Sequence, residues 1–319
     1  MQAADFDKRQ FAEIVKELSK LRPWLAVKAI AVQWSVIAAR AAAAMWSGHA
    51  LVYAAAIVVI ATRQHALAIL VHEGAHYRLF RPRWVNNVVS DVLLGFPIGL
   101  STSLYRSTHL RHHAHLGTDQ DPDAQQMAAS WEWSWPKTRR QVVVLFLRDL
   151  LMLNTSIRNA ALQWMPWPAL FRRRVVGLGP TPLSLRERVI ILAWTVLVAI
   201  GVVWSGLWLE LVLLWLVPLA MVMPLLFRIR ALGEHVGADP GHETTASWHV
   251  EIGVVEWFLF APLNTNYHLE HHLYPSVPFY NLERLRRCIF AESHLARVDR
   301  KPGYVLPVVS MSTLGQLVR

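Results

Sequence analysis

Three short stretches concentrate imidazoles at spacings that a helix turns onto one face. His268-Leu269-Glu270-His271-His272 places them at i, i+3 and i+4, and His109-Leu110-Arg111-His112-His113 repeats the pattern. His72-Glu73-Gly74-Ala75-His76 has i, i+4 spacing, and His235 follows Glu234 just after an apolar segment. Imidazole is the commonest protein ligand for zinc, iron and copper. A single ion cannot use nine such ligands, so the pattern asks for at least two metals. An all-histidine set without thiolates argues against structural zinc, which three or four ligands would hold adequately. Two irons fit the count. Iron can activate O2, which suits a substrate whose C–H bonds are inert to acid–base chemistry and whose oxidant must come from a cofactor.

Carboxylates close to these histidines are placed to orient the rings: Glu73, Glu234, Glu270, Asp119 and Asp121. His115 lies near the second cluster but out of pattern, and His49, His65, His242, His249 and His294 are read as non-ligands.

The elements that must hold this constellation are unusually apolar. The chain has 319 residues, 54% of them hydrophobic, with 15 Trp and a formal net charge of +10. Mean hydropathy is +0.29 and the pI is about 10.2. One cysteine, Cys288, excludes a disulfide framework and a thiolate-held iron–sulfur cluster within the chain. In a soluble protein the basic balance would suggest nucleic acid. Beside long apolar runs, a bilayer surface is the better partner for those charges, and no nucleic acid is expected. No phosphate-binding glycine loop and no nucleophile elbow occurs.

Apolar runs at 25–46, 50–71, 189–204 and 207–227 have roughly spanning length. Short links, Ser47-Gly48-His49 and Ser205-Gly206, pair them into two hairpins. The run at 88–104 is too short to span and carries Asp91; 252–263 is also too short. Residues 114–140 read as a polar loop, 141–165 as an amphipathic helix, 166–186 as a basic linker with Arg172, Arg173 and Arg174, and 282–297 as a surface helix. Both hairpin turns lack Lys and Arg, whereas every basic cluster and every histidine cluster falls on the other side. By the positive-inside rule that side is the cytoplasm. The expected fold is therefore all-α and integral to the membrane: four spans in two hairpins under a cytoplasmic helical cap that carries the histidines. Residues 1–24 form an amphipathic cytoplasmic segment, 25–290 the membrane domain and 291–319 a cytoplasmic tail. The lack of retention or transit signals suggests a bacterial inner membrane.

Boxes of the form HxxxH, HxxHH and HxxHH on such a framework resemble the membrane-bound fatty acid desaturase and hydroxylase superfamily. Asn266-Tyr267-His268-Leu269-Glu270-His271-His272-Leu273-Tyr274-Pro275 is similar to that family's third box, and Arg230 through Glu234-His235 to its additional upstream histidine. The resemblance covers about residues 50 to 290. It implies a di-iron centre ligated by His72, His76, His109, His112, His113, His235, His268, His271 and His272. It also implies O2 as co-substrate and a separate electron donor of ferredoxin, rubredoxin or cytochrome b5 type with its reductase. The substrate would be a lipid or other hydrocarbon, most simply a fatty acyl lipid undergoing desaturation. Hydroxylation or ketolation of a lipid, alkane or carotenoid uses the same kind of site. Ala231 stands where some animal desaturases carry an asparagine that holds a metal-bound water, and Asn264, one turn before His268, is a substitute candidate. A membrane metal-handling protein is the reading from another class. Against it, the cleanest spans hold no His or Asp near the bilayer midplane.

Overall fold

The computed structural model describes residues 7–116, 118–128, 130–171, 174–175, 179–180, 183–235, 247–292 and 300–305. Arg172, Arg173, His242, His294 and, of the tail expected at 291–319, residues 293–299 and 306–319 lie outside the described residues. The described chain is mostly helical, and it falls into two compact units. One comprises Met1–Leu25, Leu110–Leu147 and Leu226–Arg319; the other comprises Ala26–His109 and Arg148–Leu225.

Among the described residues, four helices are long and apolar enough to cross a membrane: Pro23–Ser47, Ala50–Ala75, Leu185–Ser205 and Trp208–His235. The second and fourth run past the expected ends at 71 and 227, far enough to take His72 and His235 onto the helices themselves. Helical hydrogen bonding continues through these polar residues because the side chains leave the backbone ladder intact. The helix Leu185–Ser205 exposes Val189, Leu192, Val196, Leu197, Ile200 and Val203. Its start is fixed by a capping box in which the Ser184 hydroxyl accepts from the Glu187 N–H and the Glu187 carboxylate accepts from Ser184. So large a contiguous apolar surface calls for a non-aqueous surround.

Within this unit, Ala44, Ala56, Ile60 and Leu214 share a buried cluster. Arg63, inside the second span, is buried and donates to Gln33 Oε1 at 3.1 Å, which places a hydrogen-bond acceptor where a lone charge in hydrocarbon would be costly. Trp34 and Trp215 stack with ring centroids 5.5 Å apart.

The run at 88–104 forms two helical pieces, Arg83–Ile98 and Thr102–His115, bent by 94° at the break, so that together they make a broken span or a re-entrant loop. Asp91, awkward in sequence, accepts the Thr102 N–H at 2.8 Å, so a buried carboxylate sits at the N-terminus of the helix that carries the second box. A Cβ at Gly95 would lie 2.6 Å from the Leu100 carbonyl, so glycine is required for this tight approach.

In the other unit, Phe11 and Leu18 are buried with Leu269, Leu273, Tyr274, Val277, Leu282, Leu285 and Ile289. The apolar side of the N-terminal helix Ala12–Leu18 thus packs against this cluster. The stretch read as a polar loop contains a helix, Pro122–Ala128, and the amphipathic stretch after it breaks into Arg139–Leu150 and Thr155–Trp164. Two small strand pairs accompany the helices among the described residues. Arg174–Val175 runs antiparallel to Gly179–Pro180, and His249–Glu251 runs parallel to Arg300–Pro302.

Candidate metal centre

In the unit containing Ala26–His109, the helix Ala50–Ala75 ends at the first box, with His72 on its last turn and His76 as its C-cap. The helix Thr102–His115 brings His109 to them. The three rings meet edge to face with centroids 4.5 to 5.0 Å apart. His76 Nε2 lies 2.9 Å from His109 Nε2. Tyr105 stacks on His109 and its hydroxyl is 3.3 Å from Nδ1. Glu73 is buried with its carboxylate 3.6 Å from His72 Nδ1. Arg106 secures the turn beyond the box by donating to the carbonyls of Ala75 and Gly74.

In the unit containing Leu226–Arg319, the other six histidines gather. His112, His235 and His272 bring ligand atoms within 4.8 Å of one another, and so do Glu234, His235 and His268, Glu234 through a carboxylate oxygen. His268 Nε2 faces both His235 Nε2 and His272 Nε2 at 3.0 Å. His271 Nε2 lies 3.1 Å from His113 Nε2. The third box is one short helix, His268–Leu273, whose residues are all buried.

The carboxylates divide by direction. Asp121 accepts from His112 Nδ1 at 2.9 Å, so the carboxylate orients the ring from the Nδ1 side. One oxygen of Glu234 accepts from Arg230 Nε at 2.8 Å, and the other is 3.7 Å from His268 Nδ1. Glu270, two residues after His268, lies on the opposite side of its helix and turns away from the rings. It meets His249 Nδ1 at 3.4 Å and Arg286. Burial pushes its carboxyl up, but the His249 hydrogen bond and charge and then Arg286 outweigh burial and hold it below its ordinary value. Asp119 is exposed. Asn264 donates to the Phe279 carbonyl at 3.1 Å, and Ala231 is buried. His249 and Arg286 carry no box spacing, and their roles come only from the pairing of distant segments.

The donor set fits metal ions. Burial, then the charges of Arg78 and Arg106, lowers His76 to about 3. Burial, then the neighbouring His268, His113, His112 and His271, puts His272 well below its ordinary value. Pairs of ring Nε2 atoms face one another at close range, an arrangement that a bound cation relieves. Metal–nitrogen bonds of about 2.1 Å at right angles set ligand nitrogens about 3.0 Å apart, the spacing found among the paired Nε2 atoms. Asp121→Asn keeps the shape but removes the charged acceptor. Metal affinity, measured by chelator competition, is expected to fall by about 10–100-fold; an unchanged affinity would remove Asp121 from the site.

The sequence profile of a family described as "Fatty acid desaturase" matches residues 48–300. The chain is similar to an sn-1 oleoyl-lipid 12-desaturase of Anabaena variabilis, at 24% identity over 66% of this chain and 61% of that protein. It is also similar to a dihydrorhizobitoxine desaturase of Bradyrhizobium elkanii, at 26% identity over 95% and 87% of the two chains. A third relative is a sphingolipid delta(4)-desaturase/C4-monooxygenase of Homo sapiens, at 27% identity over 70% of this chain and 61% of the relative. The match therefore spans less than two thirds of the first and third relatives' own lengths.

Proposed function

The chain belongs to the fatty acid desaturase family, and on that premise we propose that it oxidises an unactivated aliphatic chain of a lipid with O2, most simply by desaturating a fatty acyl chain. The observation that carries this reading is the convergence of imidazole nitrogens, with Asp121 and Glu234 behind two of them. His72, His76 and His109 would hold one iron and His112, His235, His268 and His272 the other, with His113 and His271 as further ligands. Glu73 supports His72. When bound, the irons supply the oxidising power that a hydrocarbon C–H bond demands. The chain's own residues would hold the nitrogens at ligand spacing, disfavour the charged form of His76 and His272 by burial, and orient rings through carboxylates.

Desaturation removes two hydrogens from the substrate while O2 is reduced to two waters. The balance takes two protons from water and two electrons from a separate ferredoxin, rubredoxin or cytochrome b5 type donor with its reductase. We read residues 25–290 as the catalytic region, with its spans in two hairpins and the boxes and both termini on the cytoplasmic side of a bacterial inner membrane. The basic clusters beside the boxes support this orientation.

Hydroxylation is the second reading, favoured by the similar relative whose name carries both desaturase and C4-monooxygenase. Mass spectrometry of lipids from expressing cells under labelled O2 separates the two. Desaturation gives an unlabelled product lighter by about two mass units, whereas hydroxylation gives a product carrying one labelled oxygen. No change in a host supplied with lipid and donor contradicts both.

A further inference from the structure

The proposed ligand His268 is backed by Glu234, and Glu234 is in turn held by a residue far along the chain. Tyr304 is fully buried, and its hydroxyl donates to Glu234 Oε1 at 3.3 Å. The same oxygen accepts from Arg230 Nε at 2.8 Å. With Oε1 doubly engaged, Oε2 is the atom left facing His268 Nδ1, at 3.7 Å. His268 Nε2 then faces His235 and His272. The run Tyr304–Glu234–His268 thus ends at the ring nitrogens that converge.

Three features show that this placement is built rather than incidental. Gly233 has no room for a side chain, since a Cβ there would lie 2.4 Å from Tyr304 Cδ1, so glycine lets the phenol pass close to the helix that carries Glu234 and His235. Glu256 Oε1 accepts from the backbone N–H groups of Tyr304 and Val305, at 2.9 and 3.2 Å. The strand Arg300–Pro302 pairs with His249–Glu251, and the Gly303 N–H donates to the Glu251 carbonyl at 2.8 Å. Strand pairing, a carboxylate clamp and a glycine notch all fix one phenol. Tyr304 also lies beyond the stretch, residues 48–300, that the family profile matches.

We propose that Tyr304 is a positioning residue of the metal centre: it orients Glu234 and, through it, the His268 imidazole. The inference rests on the metal-binding reading above and assigns a role to the C-terminal segment that the histidine boxes do not. A purely structural tyrosine would fill space with its ring alone, whereas a positioning tyrosine needs its hydroxyl.

The test uses Tyr304→Phe, which keeps the ring and removes only the oxygen. The full chain in detergent is stripped with a chelator and titrated anaerobically with Co(II), read by its visible ligand-field bands. Thermal unfolding of the metal-free proteins checks that both chains are folded. The expected result is wild-type binding with a distinct spectrum, and a variant whose Co(II) affinity is weaker by about tenfold with shifted bands. Should the phenylalanine chain fail to fold, Glu234→Gln is read instead. It preserves shape, removes the charge facing His268 and is expected to weaken binding in the same direction. A folded variant with wild-type affinity and spectrum overturns the role of Tyr304 while leaving the metal reading in place. A wild-type chain that binds no Co(II) overturns the metal reading and this inference with it.

Discussion

His268→Ala is expected to abolish turnover and to reduce bound iron from about two per chain to about one, because a site that loses a ligand from its closest cluster loses most of its affinity. His268 is the choice because its Nε2 faces two other ring nitrogens at 3.0 Å while its Nδ1 faces Glu234. Removing it breaks the cluster at its centre. His271→Ala is expected to abolish turnover as well, through the His113 pair. Activity is read as new lipid product, iron by elemental analysis of purified protein. Turnover near wild type in either variant would remove that residue from the ligand set. These changes exceed the 10–100-fold loss expected for Asp121→Asn, because a ligand is lost rather than its orientation.

The second large effect concerns stability. Arg228 and Glu132 form a buried ion pair at 3.0 Å, with side chains 0% and 2% exposed. Arg228 also lies over the Trp133 ring, 4.6 Å from its centroid. Glu132→Ala leaves a guanidinium in a site with little water, and the expected cost is about 3–5 kcal/mol of unfolding free energy. Replacing both partners with apolar side chains, as in Glu132→Leu with Arg228→Met, is expected to recover most of that loss, because the uncompensated charge is removed with its partner. Reversible denaturant unfolding in detergent measures both. A loss under about 1 kcal/mol for Glu132→Ala would mean that solvent or another group already serves Arg228.

The histidines were legible in the sequence because their information is local. Spacings of i, i+3 and i+4 determine a shared face once the segment is helical. The four long apolar helices were legible for the same reason, as composition over a contiguous window is enough to mark them. Asp121 was also within reach, since a turn of nine residues returns it to His112. Elements built on long-range pairing were not legible. Asp91 looked like an obstacle in an apolar run until Thr102 supplied its partner across a tight bend. Glu132 and Arg228 are separated by 96 positions, and neither carries a spacing that announces the other.

Glu270 shows a different kind of gap. Its place between three box histidines made it a natural candidate to orient them, yet position i+2 of the same short helix points to the far side, toward His249 and Arg286. The helical periodicity that grouped the histidines already contained that answer. Tyr304 had no local signal: its position depends on a strand pairing between His249–Glu251 and Arg300–Pro302 and on the missing side chain at Gly233. The N-terminal helix was amphipathic in sequence, but amphipathicity does not say whether lipid or protein covers the apolar face. In the fold, Phe11 and Leu18 meet Leu269 and Leu285.

The most direct test of the account is the metal content of the full chain, produced with iron available and purified without oxygen. Elemental analysis for iron, zinc, copper and manganese, set against amino-acid quantitation, reads the stoichiometry. The account predicts about two irons per chain and little of the other metals, since nine imidazoles without a thiolate exceed what a single zinc uses. One metal per chain, or two zincs with no iron, would contradict it.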